Sequence, residues 1–194
     1  MKRIIKILLI CLSLFMFVAC SKQQASQEVI VPKDEITALG RDVKAIEKYI
    51  ETLNENKDNL IEKGVIVTSG PIDSTGSYDN LVKFMNKVNN KEETSAIFAS
   101  VTDEGDYVYY YVNYNTKDYY ILHDTRFDKF GNYGTLEYSG KYIVFDETKE
   151  MSYVIISDIK NFTNEDFFKM VMSSNSKDSD KLSQVKMWVV IDHK

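Results

Sequence analysis

The chain has 194 residues, 44% hydrophobic and 27% charged, with 24 basic and 29 acidic side chains and a formal net charge of −5. That balance argues against nucleic acid as a partner and against docking on anionic lipid by charge. Two cysteines and two histidines are too few for a disulfide framework or a Cys/His zinc cluster, so apolar packing must hold the fold.

The first 19 residues have the build of an export signal. Lys2, Arg3 and Lys6 form a positive front, residues 7–19 are apolar apart from Ser13, and the small Ala19 precedes Cys20. About a dozen apolar residues fall short of the roughly 20 that a membrane-spanning helix needs. The stretch F-V-A-C (17–20) resembles the lipobox of bacterial lipoproteins, in which the cysteine is acylated and becomes the new N-terminus. Phe17 stands where those proteins usually carry Leu; ordinary secretion with cleavage near Ala19 is the other reading. Lipidation of Cys20, of the palmitate type, makes the membrane the first expected partner and its outer face the expected location. Loss of the signal removes Cys11 and three basic residues, leaving 21 basic against 29 acidic residues, a balance of −8. Residues 20–33, rich in Gln and Ser and closed by Pro32, read as a flexible tether, and 34–194 as a single domain.

From Asp34 onward Ile36, Leu39, Val43, Ile46, Ile50 and Leu53 recur at spacings of three and four, which predicts one long amphipathic helix. The pattern falters at Lys57, and packing on the domain's own sheet competes with a self-association seam. G-V-I-V-T-S-G predicts a short strand stopped at Gly70-Pro71. Ser77 is the expected cap of a second helix with Leu81, Phe84, Met85 and Val88 on one side. From Ser95 the period becomes two and strands are expected to about Ser157.

A four-residue turn at D-E-G-D (103–106) pairs Thr102 with Tyr107 and Val101 with Val108. In that register Ile97, Ala99, Val101, Val108, Tyr110 and Val112 share a face with Ile121 and His123. Phe98, Ser100, Thr102, Tyr107, Tyr109 and Tyr111 share the other with Tyr120 and Leu122. Ser139-Gly140 reads as a hairpin turn between T-L-E-Y and K-Y-I-V-F, and M-S-Y-V-I-I-S as a further strand. Thr163 with Asp166 forms a capping box for a helix bearing Phe167, Met170 and Val171. Residues 173–183 read as a polar loop, and V-K-M-W-V-V-I-D as a final strand. The order predicts an α+β domain: a mainly antiparallel sheet, a long N-terminal helix and two shorter helices.

Four pieces carry a family resemblance: G-V-I (64–66), N-L-V-K-F-M-N-K-V-N-N-K (80–91), T-D-E-G-D (102–106) and D-T-R-F-D-K-F-G (124–131). Together they resemble small Gram-positive lipoproteins grouped as a domain of unknown function. Tyr107 stands where that family often has Pro, and the late cysteines of some members are absent. The resemblance implies a lipoprotein of unknown activity and transfers no catalytic residue.

Few residues point to chemistry. There is no G-x-S-x-G, no glycine-rich phosphate loop, and only His123 and His193 as imidazole bases. His123 is expected to be structural and His193 to fray. The carboxylates of D-E-G-D and of Asp124 and Asp128 match no calcium loop and are ordinary turn formers. No cofactor, metal or catalytic residue is assigned. Seven of the 13 tyrosines lie between positions 107 and 120. Tyr107, Tyr109, Tyr111 and Tyr120 form either an exposed surface that stacks on a wall polymer or grips an envelope protein, or a face covered by a helix. The functional expectation is a lipid-anchored, non-enzymatic binding or interaction module; the alternative is a cell-envelope hydrolase using carboxylates.

Overall fold

Helices α1 (Glu35–Ala38) and α2 (Val43–Glu55) occupy the stretch where one long helix is predicted. Gly40, at φ +54°, turns the chain in a conformation that side chains with a Cβ resist. Asp42 then restarts the helix, its carboxylate accepting from the Ala45 N–H at 3.2 Å. A 3.5-residue apolar repeat survives such a break, which is why periodicity alone overlooks it. The structure is a computed structural model and describes residues 35–55, 59–68, 77–131 and 134–193. The expected signal peptide, Cys20, the tether and the Gly70-Pro71 stop lie outside the described residues. Contacts divide the chain into two units, 1–30 and 31–194; the fold and the site described below belong to the second.

The first sheet has the order β1-β2-β3-β4-β5. Its strands are β1 (Ile66–Val67), β2 (Thr94–Val101), β3 (Tyr107–Tyr114), β4 (Tyr119–Asp124) and β5 (Thr135–Gly140), with helix α3 (Ser77–Asn89) inserted after β1. β1 runs parallel to β2, and the remaining pairs are antiparallel. Ser77 is the first residue of α3, and its hydroxyl accepts from the Val67 N–H at 3.0 Å.

The predicted β2–β3 register is wrong by one residue. Val101 faces Tyr107 and Ser100 faces Val108, so the loop spans 102–106. The Thr102 N–H donates to the Asp106 carbonyl at 2.8 Å, and Gly105 takes φ +84°. An odd loop reverses side-chain parity. Ile97, Ala99 and Val101 therefore join the tyrosine face, while Phe98 joins Tyr110 and Val112. Between β3 and β4 the predicted faces hold, with Tyr110 opposite His123 and Tyr111 opposite Leu122.

The second sheet has the order β6-β7-β8, formed by β6 (Tyr142–Glu147), β7 (Met151–Ser157) and β8 (Val185–Asp192). Gly140 ends β5 and is not a hairpin turn. The chain bends there, passes Lys141 and enters the other sheet, as a strand that switches sheets does. A Cβ at Gly140 would come 2.5 Å from Ile156 Cγ2, so the strands meet too closely for any side chain.

Two clusters form the core. On one face of the first sheet Ile46, Ile50 and Leu53 of α2 pack against Tyr107, Tyr109, Tyr111 and Leu122. On the other, Leu81, Phe84 and Met85 of α3 and Val154, Ile156, Met187 and Val189 of the second sheet pack against Phe98, Val112 and Ile121. The second sheet's outer face carries Trp188, stacked on Phe167 of α4 (Asn164–Val171) at 4.8 Å. The predicted capping box of α4 is present, with Thr163 and Asp166 bonding each other's backbone N–H. Residues 176–182 form helix α5 (Ser176–Leu182), capped by Asn175, within the expected polar loop.

These features correct the expected α+β class. Among the described residues the fold is mostly β, eight strands in two sheets with small helices and no long N-terminal helix.

Candidate functional site

β4 ends at Asp124, which is fully buried beside Tyr109. A carboxylate there is tenable only if compensated, and Arg126 compensates it. Its Nε donates to Asp124 Oδ1 at 3.0 Å and its Nη2 to Oδ2 at 2.8 Å. The same guanidinium reaches α2, with Nη1 on Glu51 Oε1 at 2.8 Å and Nη2 on the Glu47 carbonyl at 3.1 Å. Asp124 accordingly holds the Arg126 pKa above its ordinary range. Glu47 also accepts from the Thr135 hydroxyl at 2.9 Å. One arginine thus ties the end of β4 to the helix that covers the tyrosines.

The residues that follow are pinned in turn. Asp128 Oδ1 accepts from the N–H groups of Phe130 and Gly131, each at 3.0 Å. A Cβ on Gly131 would lie 2.2 Å from Asp128 Oδ2, so glycine permits this turn. Buried Asp106, from the neighbouring D-E-G-D turn, accepts from the Lys129 N–H at 3.1 Å and pairs with Lys129 Nζ at 3.2 Å. The Thr125 N–H donates to the Gly134 carbonyl at 2.9 Å. Phe127 turns inward, edge-on to Tyr109 at 5.9 Å. Phe130, three residues on, is 77% exposed. The result is a loop (125–131) fixed by charge-assisted hydrogen bonds that displays one aromatic ring to solvent.

The predicted tyrosine surface is not exposed. Tyr107, Tyr109, Tyr111 and Tyr120 are all buried because the slipped register and α2 place them in the core. Their hydroxyls find internal partners: Tyr109 with Asn54 at 3.4 Å, Tyr111 with the Gly40 carbonyl at 2.8 Å and Tyr120 with Glu137 at 2.8 Å. Burial pushes the Tyr109 and Tyr120 hydroxyls above their ordinary range. The side chain of Arg41 lies over the Tyr120 ring, 5.4 Å from its centroid. His123 is half-buried and stacks on Tyr110 at 4.3 Å; burial lowers its pKa, and adjacent Asp124 opposes that shift. His193 does not fray. Its Nε2 lies 2.7 Å from Ser152 Oγ and its ring packs on Tyr78 at 4.5 Å. That serine–histidine contact has the spacing of a nucleophile and its base, but Ser152 is fully buried and no substrate can reach it.

Three of the five carboxylates that suggested acid–base chemistry are therefore committed to structure, Asp124 to Arg126, Asp106 to Lys129, and Asp128 to backbone N–H groups, while Asp103 and Glu104 are exposed on their turn. Among the described residues no group of three His, Cys, Asp or Glu side chains is placed to hold a metal ion. Sequence reasoning missed Arg126 and Phe130. The available signal was D-T-R-F-D-K-F-G itself, where Asp128 and Gly131 bracket Phe130 as a turn brackets its tip.

The arrangement defines a two-sheet β domain with a pinned, aromatic-tipped loop. Residues 62–155 match a family model described as a domain of unknown function (DUF4362), and that stretch includes the loop and both acidic turns. No curated protein and no solved structure matches the chain.

Proposed function

We propose that this chain is a lipoprotein held at the outer face of the bacterial cell membrane by an acylated Cys20, and that it is a non-enzymatic binding module. Its contact surface is the 125–131 loop, and its partner is an envelope protein. The observation that carries this reading is Phe130: a large apolar side chain left 77% exposed on a loop whose backbone is otherwise tied down. Ordering a loop before binding removes an entropic cost that binding would otherwise meet, and single aromatic anchors dominate many protein interfaces. The committed carboxylates weigh against the hydrolase alternative.

The test compares wild type with Phe130→Ala by chemical cross-linking in intact cells and by thermal unfolding. Loss of one specific cross-linked envelope protein, with the unfolding midpoint unchanged, is expected; an unchanged cross-linking pattern overturns the assignment of the loop. Mass spectrometry of the membrane-extracted protein tests the anchor, since a Cys20 without acyl chains contradicts it.

A further inference from the structure

A second exposed apolar surface lies on the outer side of the second sheet, away from the loop. Phe168, Val171 and Met172 are 44%, 49% and 84% exposed. Their i, i+3, i+4 spacing puts all three on one side of the last turn of α4. Phe167 stacks on Trp188 at 4.8 Å and Phe168 also meets it edge-on at 5.9 Å, and the Trp188 indole N–H donates to Asn164 at 3.1 Å. α4 is therefore held firmly on its inner side while its outer side stays apolar.

We propose that this face inserts into the lipid surface of the membrane to which the chain is anchored, which rests on the acylated-Cys20 reading above. Two observations choose lipid over a protein groove. Fourteen residues separate Cys20 from Glu35 and reach at most roughly 48 Å when extended. The layers from α1 through both sheets to α4 amount to roughly 30 Å at about 10 Å per layer, so the anchor can bring α4 down to the bilayer. A short attachment also holds the domain at an effective concentration on the order of millimolar, where an insertion too weak to act alone is populated. The second observation is the patch itself. Three apolar side chains on one turn above a tryptophan suit the headgroup–acyl boundary, where aromatic rings collect. Lys160, Lys177 and Lys181 on the adjoining segments are exposed and have stems long enough to reach phosphates. Asp166 is occupied as the helix cap and Asp178 by the Ser173 hydroxyl at 2.7 Å.

Trp188 is the chain's single tryptophan, which supplies the assay. The full-length lipidated protein is reconstituted in phosphatidylethanolamine–phosphatidylglycerol vesicles with ordinary or brominated acyl chains, and Trp188 emission is compared. Loss of emission in the brominated vesicles is expected. It should return in Met172→Asp and in the milder Phe168→Gln, with circular dichroism showing both variants folded. A protein that carries acyl chains by mass yet keeps its emission overturns the insertion and leaves the anchor standing. A protein without acyl chains that is still quenched overturns the anchor and leaves the insertion standing; with neither, both fall. An emission shift that follows protein concentration and ignores bromine identifies a second copy as the occupant and overturns the proposal.

Discussion

Replacing Tyr111 by Phe removes one oxygen from the core and keeps the ring in place. That oxygen lies in a directed chain. Asn113 Nδ2 donates to Ser95 Oγ at 3.0 Å, Ser95 Oγ lies 3.0 Å from the Tyr111 hydroxyl, and the hydroxyl donates to the Gly40 carbonyl at 2.8 Å. A hydroxyl has a single proton to give; the Gly40 carbonyl takes it, with the Ile36 carbonyl also in reach at 3.2 Å, so Ser95 must be the donor in its own contact. The phenylalanine variant leaves the Gly40 carbonyl and the Ser95 hydroxyl without this partner, at the point where the chain breaks between α1 and α2. A buried group left unsatisfied costs about 1–3 kcal/mol. Because Gly40 is only half-buried, water recovers part of that, and the lower half of the range applies, about 1–2 kcal/mol. In a domain of this size that lowers the melting temperature by roughly 2–8 °C. Tyr111→Ala should cost about 3–5 kcal/mol, since the ring is lost as well. Urea titration with far-UV circular dichroism measures both. If Tyr111→Phe stays within about 0.5 kcal/mol of wild type, as an exposed site would, the hydroxyl does not hold the break. If Tyr111→Ala does so too, the tyrosine face is not core.

Two further outcomes follow from charge. Arg126→Met should destabilise by about 3 kcal/mol, because it strands a buried carboxylate, and adding Asp124→Asn should recover part of the loss; a double-mutant cycle in urea shows whether the two effects couple. Burial lowers the His123 pKa below its ordinary value of 6.5, so the unfolded chain binds the proton more readily than the folded one. His123 therefore favours unfolding as the pH falls below 6.5 and has no such effect above it. His123→Gln should flatten the melting temperature between pH 7 and 5, roughly the range in which an imidazole titrates, and an unchanged slope would place the effect elsewhere.

How far the fold could be read beforehand depended on how local each signal was. The apolar faces of α2 and α3 and the Thr163–Asp166 box lie within one or two turns of helix, where spacing alone decides which side is buried. The β3–β4 register survived because two- and four-residue loops share a parity. The β2–β3 register did not, since Gly105 adds an odd residue to the loop and nothing in D-E-G-D says whether four or five residues turn. Gly140 resembles a hairpin residue in sequence, yet its role is set by Ile156, sixteen positions away. The loop was visible only as turn chemistry. Asp128 and Gly131 mark a turn, but the burial of Asp124 beneath Arg126, and the exposure of Phe130 while Phe127 is covered, depend on where α2 lies. That is tertiary information.

The corner at Gly140 has a consequence for how the molecule comes apart. Residues 135–140 pair with β4 and residues 142–147 with β7, so one run of backbone belongs to both sheets. Separate opening units need a seam that few contacts cross. Here the seam is crossed by a covalent strand and by the shared cluster of Phe98, Val112, Val154 and Val189. The two sheets are therefore expected to open together, and the slowest-exchanging amides of β3 and β7 should report the same global free energy.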